Sequence, residues 1–198
     1  MSIRKISFAA LLAAAAMAVS SASVAQFDGL YIGGGFGMFK ATETANDPAT
    51  DSSLTLGGTE HQGGWNVNAG YGGSVGILHL AIEVSYANQV GEISDRILGQ
   101  TFTDGVEEAV AGSILPGFKF GPNGLAYLRI GAAQAKLKAA RGGFSQTHNG
   151  KLYGIGMKQA LAPNLALFLE YQNYDFKEKD QIQPASTGFI LGAQYSFR

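Results

Sequence analysis

The chain has 198 residues, a formal net charge of −1 and no cysteine, which leaves room for one domain and excludes cysteine nucleophiles, thiolate metal sites and a disulfide framework. Charged residues make up only 15% of it, against roughly 25% in ordinary soluble domains. Glycine is abundant at 28 residues, and aromatics reach 11%.

The chain opens MSIRKISFAALLAAAAMAVSSASVAQ, with Arg4 and Lys5 ahead of an apolar run from Ile6 to Val19 and small residues at Ser23 and Ala25. This order predicts a secretory signal peptide over residues 1–25, cut after Ala25, because the run falls short of the ~20 residues that a spanning helix needs. Residues 26–198 then form the mature domain. Loss of Arg4 and Lys5 lowers the basic count from 14 to 12 against 15 acidic residues. A weakly acidic chain offers no electrostatic footprint for nucleic acid. An exported chain so poor in charge needs a non-aqueous neighbour, yet no later apolar run approaches the ~18 residues of a membrane helix. Strands remain.

Period-2 alternation predicts eight of them. In YIGGGFGMF (31–39), Ile32, Gly34, Phe36 and Met38 share one face, with Tyr31, Gly33, Gly35, Gly37 and Phe39 on the other. WNVNAGYGG (65–73) sorts Trp65, Val67, Ala69 and Tyr71 from Asn66, Asn68, Gly70 and Gly72. The third strand, LAIEVSY, sets Leu80, Ile82, Val84 and Tyr86 against Ala81, Glu83 and Ser85. VAGSILPGFKF (110–120) and LAYLRIGAA (125–133) repeat the pattern, with Lys119 and Arg129 on their small-residue faces. LYGIGMK (152–158) places Lys158 opposite Tyr153, Ile155 and Met157, and LALFLEYQ (165–172) places Glu170 opposite Leu165, Leu167, Leu169 and Tyr171. TGFILGAQYSF (187–197) completes the set.

Long polar connections (40–62, 88–105, 139–149, 177–186) alternate with short ones near 73–78, 121–124 and 161–164. Seven connections that begin and end long require eight strands with both termini on the short-turn side, as in outer-membrane barrels. Alternation alone fits a soluble barrel equally well. The composition of the second face decides, since it is mainly Gly, Ala, Ser and Asn, too small and too neutral for a solvated exterior. It suits the narrow interior of an eight-stranded barrel. The apolar face carries Trp65, Tyr71, Tyr86, Phe118, Tyr171 and Phe197, ring types that favour the membrane interface. The expected fold is therefore all-β, an eight-stranded antiparallel up-and-down transmembrane barrel.

GLYIGGGFG (29–37), LPGFKFGPNGLAYLRIG (115–131), GIGMKQALAPNLALFLEY (154–171) and the terminal GAQYSF together resemble the small eight-stranded outer-membrane barrels of the OmpA-like and opacity-type families. The resemblance implies the outer membrane of a Gram-negative bacterium and insertion by the assembly machinery that reads a terminal aromatic-x-aromatic strand, here Gly192, Tyr195 and Phe197. It departs from the family pattern at Arg198, which stands after the final Phe, and at Ile190, where a polar residue is usual. It also implies an interior charge network acting as a plug or gate.

Glu83, Lys119, Arg129, Lys158 and Glu170 share the small face and would point into a lumen where unpaired charge is costly. Arg129 can fork onto a carboxylate, and Lys158, on the strand hairpinned to Glu170, is expected to pair with it. The network is read as structural first, as a conducting gate second and as catalytic third. Of the histidines, His61 and His148 fall in loops and His79 begins a strand. Ser145 with His148 in FSQTHN is the closest approach to a nucleophile and base, and the His-x-Ser motif of barrel lipid A deacylases is missing. No catalytic, metal or cofactor site is assigned. The glycines of GGGFG and GIG are read as space for neighbouring side chains, since no helix follows them to make a phosphate loop.

The expected function is a non-enzymatic outer-membrane barrel that supports envelope integrity and presents loops for an extracellular ligand, with a narrow gated porin-like channel as the alternative and a barrel lipid hydrolase as a distant third. Expected partners are outer-membrane lipid, lipopolysaccharide and the assembly machinery. Asp47, Asp51, Asp95 and Asp104 lie in the long connections, where scattered acids are ordinarily just solvated.

Overall fold

The computed structural model describes residues 27–47, 52–57, 62–97, 100–121, 123–138, 145–177 and 182–197. Nine strands run in chain order among the described residues: β1 Gly29–Asp47, β2 Ser52–Gly57, β3 Gln62–Val75, β4 Leu78–Ile97, β5 Gln100–Phe120, β6 Gly124–Lys138, β7 Ser145–Ala162, β8 Leu165–Phe176 and β9 Ile182–Ser196. Eight of them, all but β2, pair antiparallel with their neighbours, and β1 closes the ring on β9 from Tyr31↔Ser196 to Ala45↔Ile182. No helix occurs among the described residues. Closure gives every strand in the ring a partner on both sides, as lipid demands of a backbone with no water to bond.

The ring is the expected eight-stranded barrel, and β2 stands outside it. It pairs only with the far end of β1, from Thr42↔Gly57 to Asp47↔Ser52, inside the stretch whose polarity predicts a connection. β4 and β5 likewise continue pairing to Ile97↔Gln100 through most of the predicted loop 88–105, past an irregularity between Asn88 and Gly91. Polar composition marks where the membrane ends, not where backbone pairing ends. Beyond the lipid an antiparallel ribbon can have water on both faces and needs no apolar stripe.

The inward and outward faces follow the alternation residue by residue. Ile32, Phe36, Met38, Leu80, Ile82, Ile114, Phe118, Leu128, Ile130, Ile155, Leu167, Leu169 and Leu191 are exposed, while Asn66, Asn68, Glu83, Ser113, Arg129, Lys158, Glu170 and Gln194 are buried. This is the reverse of a water-soluble protein, and it requires a hydrocarbon surround. Outward aromatics pair into belts at both ends. Trp65 lies 5.6 Å from Tyr86 and Tyr171 4.9 Å from Phe189 towards the long-connection end, with Phe118–Phe120 at 6.4 Å and Tyr195–Phe197 at 5.2 Å towards the short turns. Above the first belt the outward face turns polar, where Lys136 Nζ donates to Glu108 Oε2 at 3.0 Å and Gln134 Nε2 to Asn149 Oδ1 at 3.0 Å.

The lumen is packed in layers. Towards the short turns Phe27, Tyr31, Leu115, Leu125 and Tyr127 form one buried cluster; a second gathers Phe39, Leu152, Tyr174 and Phe176 towards the long connections and reaches to Ile190 and Phe168, at and below the level of Glu170. The lumen is thus less uniformly small than its glycines imply. Large rings are accommodated by glycines that face them: a Cβ on Gly156 would lie 2.5 Å from Tyr127 Cζ, and one on Gly70 2.5 Å from the Tyr31 hydroxyl.

Candidate functional site: the lumen cross-brace

Between the two apolar layers lies a network of charge. Arg129 on β6 donates from Nε to Glu170 Oε1 and from Nη2 to Glu170 Oε2, the latter at 3.0 Å, a bidentate fork onto β8. The same Nη2 lies 2.7 Å from Glu83 Oε1 on β4, an ion-pair contact rather than an aligned hydrogen bond. In an eight-stranded ring β4 and β8 are four strands apart, on opposite walls. Arg129 therefore braces the barrel across its diameter.

Neutral donors complete the carboxylates. Tyr127 OH donates to Glu170 Oε2 at 2.6 Å, Gln172 Nε2 to Glu170 Oε1 at 2.8 Å, and Tyr174 OH to Gln172 Oε1 at 3.0 Å. Tyr31 OH on β1 donates to Glu83 Oε2 at 2.9 Å. A buried carboxylate is tolerated only when its lone pairs are used, and Glu170 accepts from four donor atoms. Among the described residues, Arg129 Nη1, Asn66 Oδ1, Asn68 Oδ1 and Ser113 Oγ find no hydrogen-bond partner. The last three lie on β3 and β5.

Alternation places five charges on one face, and the structure divides them. Glu83, Arg129 and Glu170 form the brace. Lys158 is equally buried but does not pair with Glu170, contrary to the expectation from the hairpin. Its ammonium donates to Gln194 Oε1 on β9 at 2.5 Å and lies 4.7 and 5.1 Å from the ring centroids of Tyr31 and Tyr127. The reason is register: Lys158 pairs with Phe168 and Glu170 with Gly156, so the ammonium sits one inward layer closer to the short turns. Lys119 lies outside the brace altogether, at the short-turn mouth, with Nζ 3.6 Å from Asp28 Oδ1. Gly192 faces inward against Phe168, while Tyr195 and Phe197 face outward in an edge-to-face pair.

The sequence also conceals one arrangement. Spacing alone assigns His79 no serine and carboxylate, but a Gly76–Ile77 turn brings Ser74 opposite His79, both facing inward. Ser74 Oγ donates to Asp28 Oδ1 at 2.5 Å and lies 2.9 Å from His79 Nδ1, which is itself 3.6 Å from Asp28 Oδ1. The five-residue spacing across a tight turn is a legible signal, whereas Asp28 lies 46 residues from Ser74 and carries none. This is not a catalytic relay. The carboxylate contacts the serine and the same ring nitrogen, and leaves Nε2 facing Gly72 instead of orienting the ring from behind. His148 Nδ1 lies 3.5 Å from the Lys177 carbonyl. The side chains of Ser145, Asp47, Asp95 and Asp104, and all of His61 and Asp51, lie outside the described residues. Among the described residues no group of three His, Cys, Asp or Glu side chains is placed to hold a metal ion.

A closed antiparallel ring, apolar outside and charged inside, defines a transmembrane β-barrel of the outer-membrane type. Residues 7–197 match the family described as outer membrane protein beta-barrel domain, and the chain belongs to it. In fold it is similar to neisserial surface protein A, at 16% identity and a TM-score of 0.57, over 85% of this chain and 97% of that one. It is also similar to the outer membrane protein OprG of Pseudomonas aeruginosa, at 8% identity and a TM-score of 0.51, over 85% and 95% of the respective chains. No curated protein matches it in sequence.

Proposed function

We propose that the protein is a non-enzymatic barrel of the Gram-negative outer membrane, closed to ions, that stiffens the envelope and presents its long connections to an extracellular ligand. Its partners on this reading are outer-membrane lipid, lipopolysaccharide and the assembly machinery, the last through Gly192, Tyr195 and Phe197. Residues 1–25 are removed on export. The observation that carries the closed-lumen reading is the brace itself: Arg129 ties β8 to β4 across the lumen, between two layers of buried aromatic and aliphatic side chains. Such packing gives a rigid post on which loops can be displayed.

The alternative, a narrow gated channel, draws support from the unpartnered polar atoms of Asn66, Asn68 and Ser113, which would line a path beside Arg129. Planar-bilayer recording separates the two. The closed-lumen reading expects no steady current from the native protein and new conducting steps from Arg129→Ala, with Glu170→Gln showing fewer. A steady ion-selective current in the native protein would establish the channel instead.

A further inference from the structure

At the short-turn mouth the chain enters the barrel in a way that the brace does not explain. Phe27, two residues before β1, is buried to 3% exposure among Tyr31, Ala81, Leu115, Leu125, Tyr127, Ala160 and Ala166, side chains from β1, β4, β5, β6, β7 and β8. As a member of that inward cluster, its ring stands in the lumen. The next residue, Asp28, is held from three strands: Ser74 of β3 donates to Oδ1 at 2.5 Å, His79 Nδ1 of β4 lies 3.6 Å away, and Lys119 Nζ of β5 also 3.6 Å away. Gly72 leaves the space for this crossing, since a Cβ there would lie 2.7 Å from His79 Cε1 and 3.0 Å from the Phe27 carbonyl oxygen.

We infer that Phe27 is a stopper for the short-turn mouth and that Asp28 is its latch, held shut by Ser74, His79 and Lys119. A phenyl ring in a dry pocket is retained by burial of its apolar surface. An aspartate that lies at the rim and accepts from a serine, beside an ammonium, adds directional contacts that release when any partner is lost. The stopper is distinct from the brace: it belongs to the N-terminal approach and can leave without breaking a strand pair.

The chain has no cysteine, so single thiols report cleanly. In detergent micelles, where both mouths are open to reagent, a membrane-impermeant maleimide is used on Phe27→Cys and on Ile77→Cys, an exposed turn position on the same rim. The stopper requires the thiol at position 27 to label at least roughly tenfold more slowly than the thiol at position 77, the ratio expected of a local opening that costs ~1.4 kcal/mol. Adding Asp28→Ala or, separately, Ser74→Ala must raise the rate at position 27 towards that at position 77, with folding checked by heat-modifiable gel migration. Equal labelling at the two positions in the otherwise native background would overturn the stopper, and protection unchanged by both release variants would overturn the latch. Current through the native barrel with position 27 still protected would count against the closed-lumen reading alone.

Discussion

Arg129→Met is the most informative single change to the barrel. Among the described residues, Glu83, Glu170, Arg129 and Lys158 are the buried acidic and strongly basic side chains, and their formal charges cancel. The substitution fills a similar volume but removes the bidentate fork onto Glu170 and the 2.7 Å contact to Glu83. Two carboxylates are then left in a low-dielectric layer with one ammonium, which is bound elsewhere. Breaking a buried ion pair from one side costs about 3–5 kcal/mol, or roughly two to four powers of ten in the folded-to-unfolded ratio. Lys158→Met is the control, because the ammonium donates to Gln194 and, among the described residues, has no carboxylate within ion-pair distance. It should cost clearly less. Adding Glu83→Gln to Arg129→Met restores formal neutrality, so the double variant should be more stable than the sum of its parts, by a coupling of ~0.5–3 kcal/mol.

Urea unfolding of protein refolded into phospholipid vesicles measures all of these variants. Trp65, the single tryptophan, faces outward beside Tyr86 and reports loss of the lipid environment. An Arg129→Met midpoint indistinguishable from native, or a Lys158→Met loss larger than that of Arg129→Met, would refute the brace as the central electrostatic element.

Four smaller tests follow from other parts of the molecule. Gly192→Ala would press a Cβ into the Phe168 ring and the Gly34 carbonyl oxygen; refolding yield should fall with an overpacking cost of ~1–3 kcal/mol, whereas Gly112→Ala, which meets nothing within 4 Å, should refold as native. Phe197→Ala should lower the amount of barrel in the outer membrane of cells while leaving refolding into vesicles unchanged, since its proposed role is recognition by the assembly machinery. The hydrogen bond from Lys136 holds the Glu108 carboxyl below its ordinary range, in the polar collar outside the membrane. A folded value below the unfolded one stabilises above the ordinary carboxylate range and is lost as pH falls through the folded value, so Glu108→Gln should remove a small acid-side decline and change little at neutral pH, where exposed pairs contribute weakly. Intact mass of the protein extracted from outer membranes should correspond to a chain beginning at Gln26.

Much of this is legible in the sequence because a membrane barrel inverts one rule and keeps another. The period of two survives whatever surrounds the sheet, so Glu170 between Leu169 and Tyr171 identifies its own side of the wall: leucine and tyrosine meet lipid, and glutamate meets Arg129. Composition then says which face is outside, since the glycines of β1 and β7 are too small for a solvated surface. Strand ends are less visible. Thr42, Thr44 and the SSLTLG of β2 read as a polar connection, yet they continue the sheet, because pairing outside the bilayer is held by backbone bonds and not by an apolar stripe. The expected partner of Lys158 is wrong for a related reason. Facing the same lumen as Glu170 says nothing about depth, and a register one inward layer lower gives it Gln194 and two tyrosine rings instead.

The short-turn mouth shows where reading along the chain fails in principle. Ser74 and His79 are five residues apart and share the inward face, so a hairpin reading could have paired them. Asp28 comes from a segment whose alternation has not begun, and Phe27 looks like one more hydrophobic residue before a strand. Pairing of β1 with β3, which starts at Gly29↔Gly72, brings that segment under the β3–β4 turn, and the curl of the wall brings Lys119 of β5 beside it. A barrel makes its first residues neighbours of its last strand and its first hairpin at once. Polar groups left at the rim by both will bond to whatever crosses there, and the N-terminal approach is the segment that the topology sends across.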